Sequence, residues 1–178
     1  MKLSFVVDVI ANELKQPRGR VAMLSRRLQA IDAIPVGAGG RLAPDLNYND
    51  VALMLVTLLI DQASHQAARL AVDMCAYTHA DETGHATAGH YIAQLLKGAD
   101  LSHSANSQLA FKSSVTVHGG AEDAIVVRHT CTDKPLELAF TSDGKPYQPE
   151  LVETIVSAFT LSGVLLHRIG RALKVSAI

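Results

Sequence analysis

The stretch from about Asn49 to Gln62 limits the fold most. It runs Val51, Ala52, Leu53, Met54, Leu55, Val56, Leu58, Leu59 and Ile60 with little polar relief. As a helix it is apolar nearly all round, so other elements must cover most of its sides. The run is too short to span a bilayer, and the cover must be protein: the rest of this chain or a second copy. Asn47, Asn49 and Asp50 precede it and suit a helix N-cap. With 48% apolar residues the chain has material for a real core. Trp is absent and aromatics are few, so Ala, Leu and Val do the packing.

The preceding stretch, Val6 to Pro44, reads as a helix-turn-helix and a glycine-rich loop tipped by Arg41. Val6, Val7, Ile10 and Leu14 have helical spacing. Lys15 to Gly19 interrupts it, and Pro17 suits the start of a new helix. In that second helix Val21, Leu24, Leu28 and Ile31 fall on one side. At about 100° per residue Arg26 falls almost opposite them. Ala22, Met23 and Ala30 share the exposed face, Arg20 and Arg27 flank it, and Arg18 stands at the helix start. A tight turn into a helix with a basic outer face is how major-groove readers are built. Arginine reads guanine edges bidentately and also clamps phosphates.

Leu14, Pro17, Val21, Leu24, Arg26-Arg27-Leu28, Ile34 and the run Gly39-Gly40-Arg41 to Ala43-Pro44 resemble the amino-terminal DNA-binding unit of winged-helix regulators from proteobacteria and their prophages. The resemblance covers roughly a quarter of the chain. It implies sequence-specific binding of double-stranded DNA, with Arg18, Arg20, Met23, Arg26, Arg27 and Arg41 at the contact. The loop departs from the pattern in lacking a clear pair of flanking strands. Phage packaging proteins of the small-terminase type also carry an amino-terminal helix-turn-helix but assemble as rings, and they form an alternative. A module whose basic helix binds an acidic protein partner forms another.

Net charge is −1, but it is unevenly spread. Residues 1–42 hold seven Lys/Arg against three acids, and the remainder holds nine against fourteen. Local charge is what attracts phosphate. Cys75 and Cys131 lie far apart, with neither a disulfide framework nor zinc spacing, so a reducing cytoplasmic setting is expected. The opening MKLSFVVDVI is interrupted by Asp8 and followed by no small-residue cleavage site, so it is read as no signal peptide.

Further on, helices are expected from His65 to about His79 and from His85 to Lys97, with a turn at His79–Gly84 and a loop at Leu101–Gln108. The period then becomes alternating. Strands are expected at Ser113–His118, Ala124–Cys131 and Leu136–Thr141, the first two joined by Gly119-Gly120. A long helix from Glu150 to about Lys174 would cover this meander, with Leu151, Ile155, Phe159, Leu166, Ile169 and Leu173 near one face. Its surplus apolar positions, Val156, Leu161, Val164 and Leu165, suggest burial against a partner, most simply a homodimer.

The expected fold is therefore mainly α with a small α+β carboxyl-terminal part. It divides into a helix-turn-helix unit (1–46), a helical core (47–98) and an α+β dimerisation or sensing part (99–178). His79, Asp81, Glu82, His85 and His90 cluster in sequence without zincin spacing, and they read as turn histidines rather than metal ligands. Gly37-Ala38-Gly39-Gly40 follows a helix and lacks a following Lys-Ser/Thr, so it is neither a Walker loop nor a dinucleotide fingerprint. No nucleophile elbow is present. The sequence thus points to a DNA-binding protein with no cofactor and no enzymatic activity.

Overall fold

The computed structural model describes residues 1–37, 44–60, 63–79, 87–99, 105–120, 123–130, 136–144 and 155–175. Among these, seven helices and one five-stranded sheet form a mixed α/β fold. The chain runs α1 (Leu3–Leu14), α2 (Arg18–Ala30), α3 (Tyr48–Leu59), α4 (Ser64–Cys75), β1 (Thr78–His79), α5 (Ala88–Ala99) and α6 (Ala105–Phe111). It continues through β2 (Ser113–Gly120), β3 (Ala124–His129), β4 (Leu136–Thr141), β5 (Ile155–Ser162) and α7 (Gly163–Val175). No helix among the described residues is long and apolar enough to cross a membrane.

The apolar run is α3, and it is central. Every residue from Val51 to Thr57 is buried, and α3 packs against α2, α4 and α5. Thr57 is tolerated there because its hydroxyl donates to Leu53 O at 2.7 Å. The start of α3 is fixed by a capping box. Asn47 Oδ1 accepts from the N–H groups of Asn49 and Asp50 (2.8 and 3.1 Å), and Asp50 returns an acceptor to Asn47 N–H at 2.7 Å. Capping of this kind stabilises by about 1 kcal/mol.

The amino-terminal helices form where their periodicity predicts, except that Ile31, expected on the buried side of α2, is its C-cap and is exposed. Val6, Val7, Val9, Ile10 and Ala11 are buried on α1, and Val21, Leu24, Ser25 and Leu28 on α2. Lys15, in the left-handed region at φ 54°, closes α1 and turns the chain toward Pro17. Helix α1 packs against both α2 and α7, and Arg168 of α7 pairs with Glu13 of α1 at 2.7 Å.

The sheet is antiparallel throughout, in the order β1-β4-β3-β2-β5. The three expected strands are present, but the meander is only the middle of a wider sheet. The larger correction concerns the carboxyl-terminal element. Residues 155–162 are not the first half of a long helix; they form β5, paired with β2 from Ser114↔Ser162 to Gly120↔Ile155. Ile155 and Phe159 are four apart, an even spacing that satisfies helical and strand periods alike. The tie goes to the strand because Ile, Val, Phe and Thr favour a pleated surface, and because Leu161 is buried while Thr160 and Ser162 are exposed. The helical half of the expectation survives as α7, whose Leu166, Ile169 and Leu173 are fully buried. Residues 150–154, including Glu150 and Glu153, lie outside the described residues.

Two smaller corrections follow. Part of the expected loop at 101–108 belongs to α6, which begins at Ala105. The helix expected from His65 to about His79 ends at Cys75, and Thr78 and His79 pair with Thr141 and Phe140 as β1; the rest of the expected turn, 80–84, lies outside the described residues.

Candidate nucleic-acid interface

Helix α2 carries four arginines and no acidic residue. Its buried positions recur at Val21, Leu24, Ser25 and Leu28, which turns Arg18, Gly19, Arg20, Met23, Arg26, Arg27 and Ala30 to solvent. The arginines differ in freedom. Arg18 Nε donates to Asp8 Oδ1 at 2.5 Å, an ion pair across the turn between α1 and α2. Among the described residues Arg20 makes one long hydrogen bond, to Gln16 Oε1 at 3.4 Å. Among the described residues no carboxylate pairs with Arg26 or Arg27. Met23 is 41% exposed beside them, an apolar side chain on an otherwise cationic ridge.

A cavity of about 250 Å³ opens between α1 and α2, with Leu3, Val7, Ala22 and Pro44 among its walls and Arg18 and Arg26 at its rim. The segment after the glycine-rich loop is anchored next to it. Leu3 N–H donates to Pro44 O at 3.2 Å and Leu46 N–H donates to Met1 O at 2.6 Å, while Lys2 Nζ pairs with Asp45 at 2.9 Å. This short bridge ties the far end of the loop to the start of α1. Arg41 and the rest of 38–43 lie outside the described residues. The structure thus brings Arg18, Arg20, Met23, Arg26 and Arg27 onto one exposed helix, with Arg18 engaged by Asp8.

The described residues also hold a buried polar cluster that the sequence reading missed. Ser113 of β2 and His129 of β3 are register partners, and Ser113 Oγ lies 2.6 Å from His129 Nδ1. Tyr91 of α5 places its hydroxyl 2.8 Å from His129 Nε2. The proton directions follow from donor and acceptor capacity. Leu109 O only accepts, so it takes the single Ser113 proton, at 2.5 Å. Ser113 Oγ must then accept from Nδ1–H, which leaves Nε2 to accept from Tyr91 O–H. His129 is a neutral Nδ1–H imidazole, and burial pushes its pKa below the ordinary value. A serine whose proton is committed to a backbone carbonyl, facing a histidine that donates, is not an activated nucleophile. The hairpin register was the signal available in the sequence: once Val115 is set opposite Val127, Ser113 falls opposite His129.

A second cavity, about 470 Å³, lies between the starts of α3 and α5 and the end of α4. Its polar groups are already engaged or inert. The Asp50 carboxylate belongs to the α3 cap, and burial pushes the Cys75 thiol up to about 12, far from a reactive thiolate. Of the histidine and acid cluster, His79 is held in the sheet, donating from Nδ1 to Ala139 O at 2.8 Å, and His90 is exposed on α5. Asp81, Glu82 and His85 lie outside the described residues. Among the described residues no group of three His, Cys, Asp or Glu is placed to hold a metal.

No family model, curated protein or solved structure matches this chain.

Proposed function

We propose that this protein binds double-stranded DNA through the outer face of α2, as a sequence-specific regulator of transcription. The observation that carries the reading is the acid-free helix whose Arg26 and Arg27 stand exposed without carboxylate partners among the described residues. An α-helix with its side chains is about 10–12 Å across, and the major groove of B-DNA is about 12 Å wide. From Arg20 to Arg27 the ridge rises about 10 Å, close to three base-pair steps. Arg26, central on the exposed face, reads a base edge. Arg20 and Arg27 on the flank take phosphates, and Met23 offers apolar contact to a thymine methyl. Arg18, held by Asp8, and Arg41 on the loop contribute to the adjacent backbone.

Gly19 supports the same face. A β-carbon there would meet nothing within 4 Å, so no packing among the described residues requires the glycine, and the bare backbone lets a DNA strand approach the start of α2 closely.

The test is duplex-DNA binding by fluorescence anisotropy across a salt series, using a pool of genomic fragments. Wild-type affinity is expected to fall steeply with salt as counterions are released. Arg26→Ala is expected to weaken the selected site by about tenfold or more. Arg27→Ala is expected to weaken all sequences alike and to lower the salt slope by about one. Arg128→Ala, which removes the sheet-borne partner of Glu137, serves as the control and leaves binding unchanged. Absence of binding at low salt, or an Arg26→Ala variant that binds like wild type, would sink the proposal in favour of an acidic protein partner.

A further inference from the structure

The two edges of the sheet are built unlike. At one edge β1 is two residues long, too short to template another strand. At the other lies β5, eight residues long, with an unbroken ladder to β2 from Ser157 to Ser162. Among the described residues no strand pairs with the outer side of β5. An antiparallel strand directs the N–H and C=O of alternate residues to opposite sides, so half of the β5 backbone groups face away from β2.

Solvent-exposed edges are ordinarily blunted by short length, lysine, proline or inward charge. β1 follows that rule. β5, reading Ile-Val-Ser-Ala-Phe-Thr-Leu-Ser, holds no charge and no proline. Large apolar side chains also gather around it. Phe159 on β5 is 44% exposed, Val164 in the first turn of α7 46%, and Phe111 at the end of α6 51%. Gly163 sits so close to the carbonyls of Ala110, Phe111 and Ser113 that Phe111 and the start of α7 are neighbours. The Phe111 ring meets His167 edge-on at 5.8 Å.

From this contrast we infer that β5 is the contact with a second copy of the chain, the two β5 strands pairing antiparallel across a two-fold axis into one continuous sheet. A strand antiparallel to itself presents the same sequence of donors and acceptors from both sides, which is the isologous geometry of a dimer. An uncharged strand meets its own copy without like-charge repulsion. The blunt β1 edge then stops growth, so association closes at two subunits instead of propagating.

Solution mass by light scattering, on the full chain and across a dilution series, tests the interface. Wild type is expected at twice the 19.0 kDa chain mass. Thr160 is exposed, and among the described residues its hydroxyl bonds across the β2–β5 ladder to Thr116 Oγ1 at 2.9 Å. Thr160→Lys is expected to weaken the dimer by about tenfold or more, because it places two like charges at one edge-to-edge contact. Wild type at single-chain mass, a larger ring, or a Thr160→Lys dimer as tight as wild type overturns the inference. Should that variant fail to fold, hydrogen exchange on wild type decides. Protection of the β5 amides is expected to fall on dilution while the central strand β3 keeps its own, and a dimer whose β5 exchange is indifferent to dilution overturns the assignment equally.

Discussion

Gly163→Ala is expected to destabilise the folded chain by about 3 kcal/mol or more, the upper range for overpacking a rigid site. A β-carbon at Gly163 would clash with Ser113 O and Phe111 O and lie 2.7 Å from Ala110 O. All three are backbone oxygens, so no side-chain rotamer can relieve the clash. They belong to the passage from α6 into β2, while Gly163 is the first residue of α7 after β5. Relief requires either that α7 lift from the sheet, exposing Leu166, Ile169 and Leu173, all fully buried, or that the β2–β5 ladder open. Thermal unfolding followed by circular dichroism reads the effect as a drop of roughly 6–12 °C for a chain of this size. Gly19→Ala is the matched control. With nothing within 4 Å of its β-carbon, it is expected to gain about 0.5–1 kcal/mol from helix propensity. A Gly163→Ala variant as stable as wild type would show that α7 does not approach the α6–β2 backbone this closely.

The same junction marks the limit of what was legible in the sequence. Helices α1 to α5 could be read because their apolar spacing is strong and their punctuation explicit, as at Pro17 and Asn47. Strands β2 to β4 could be read because Val115, Val117, Ile125 and Val127 alternate with residues of the opposite face. β5 could not, since the even spacing of Ile155 and Phe159 suits both periods and only pairing with β2 decides between them. β1 is two residues whose extended form depends on Thr141 and Phe140, a tertiary effect with no local signal. The polar, weakly patterned start of α6 gave no amphipathic period to detect. For the candidate interface, the exposure of Arg20, Met23, Arg26 and Arg27 followed from helical geometry alone. The engagement of Arg18 by Asp8 did not, because it depends on how the turn at Lys15–Pro17 aims α2 back along α1.

Replacing His129 is expected to cost nearly as much as filling Gly163, and to change how stability depends on pH. His129→Ala removes a buried ring, takes away the hydrogen bonds that the Tyr91 hydroxyl and Ser113 Oγ make to it, and opens a cavity beside the Tyr91 ring, which meets His129 tilted at 5.8 Å. Each lost buried hydrogen bond costs about 1 kcal/mol and a cavity adds to it, so about 3 kcal/mol is expected in total. Tyr91→Phe, which keeps the ring and removes one hydrogen bond, is expected to cost only about 1–2 kcal/mol. The pH dependence follows from proton linkage. Burial lowers the His129 pKa below the ordinary 6.5, as it does for His118 and, with help from Arg171, for His167. In acid the unfolded chain therefore binds protons that the folded chain refuses. The stabilisation from keeping these rings neutral is fully present above pH 6.5 and is lost as pH falls through the folded-state values. Urea unfolding at a series of pH values is expected to show wild-type stability declining on the acid side of that point. His129→Ala is expected to decline less steeply, because one of the groups that refuse a proton in the folded chain is gone while His118 and His167 still contribute. An acid slope unchanged by the substitution would mean that the folded and unfolded chains bind the His129 proton alike, and would overturn the neutral Nδ1–H assignment that burial supports.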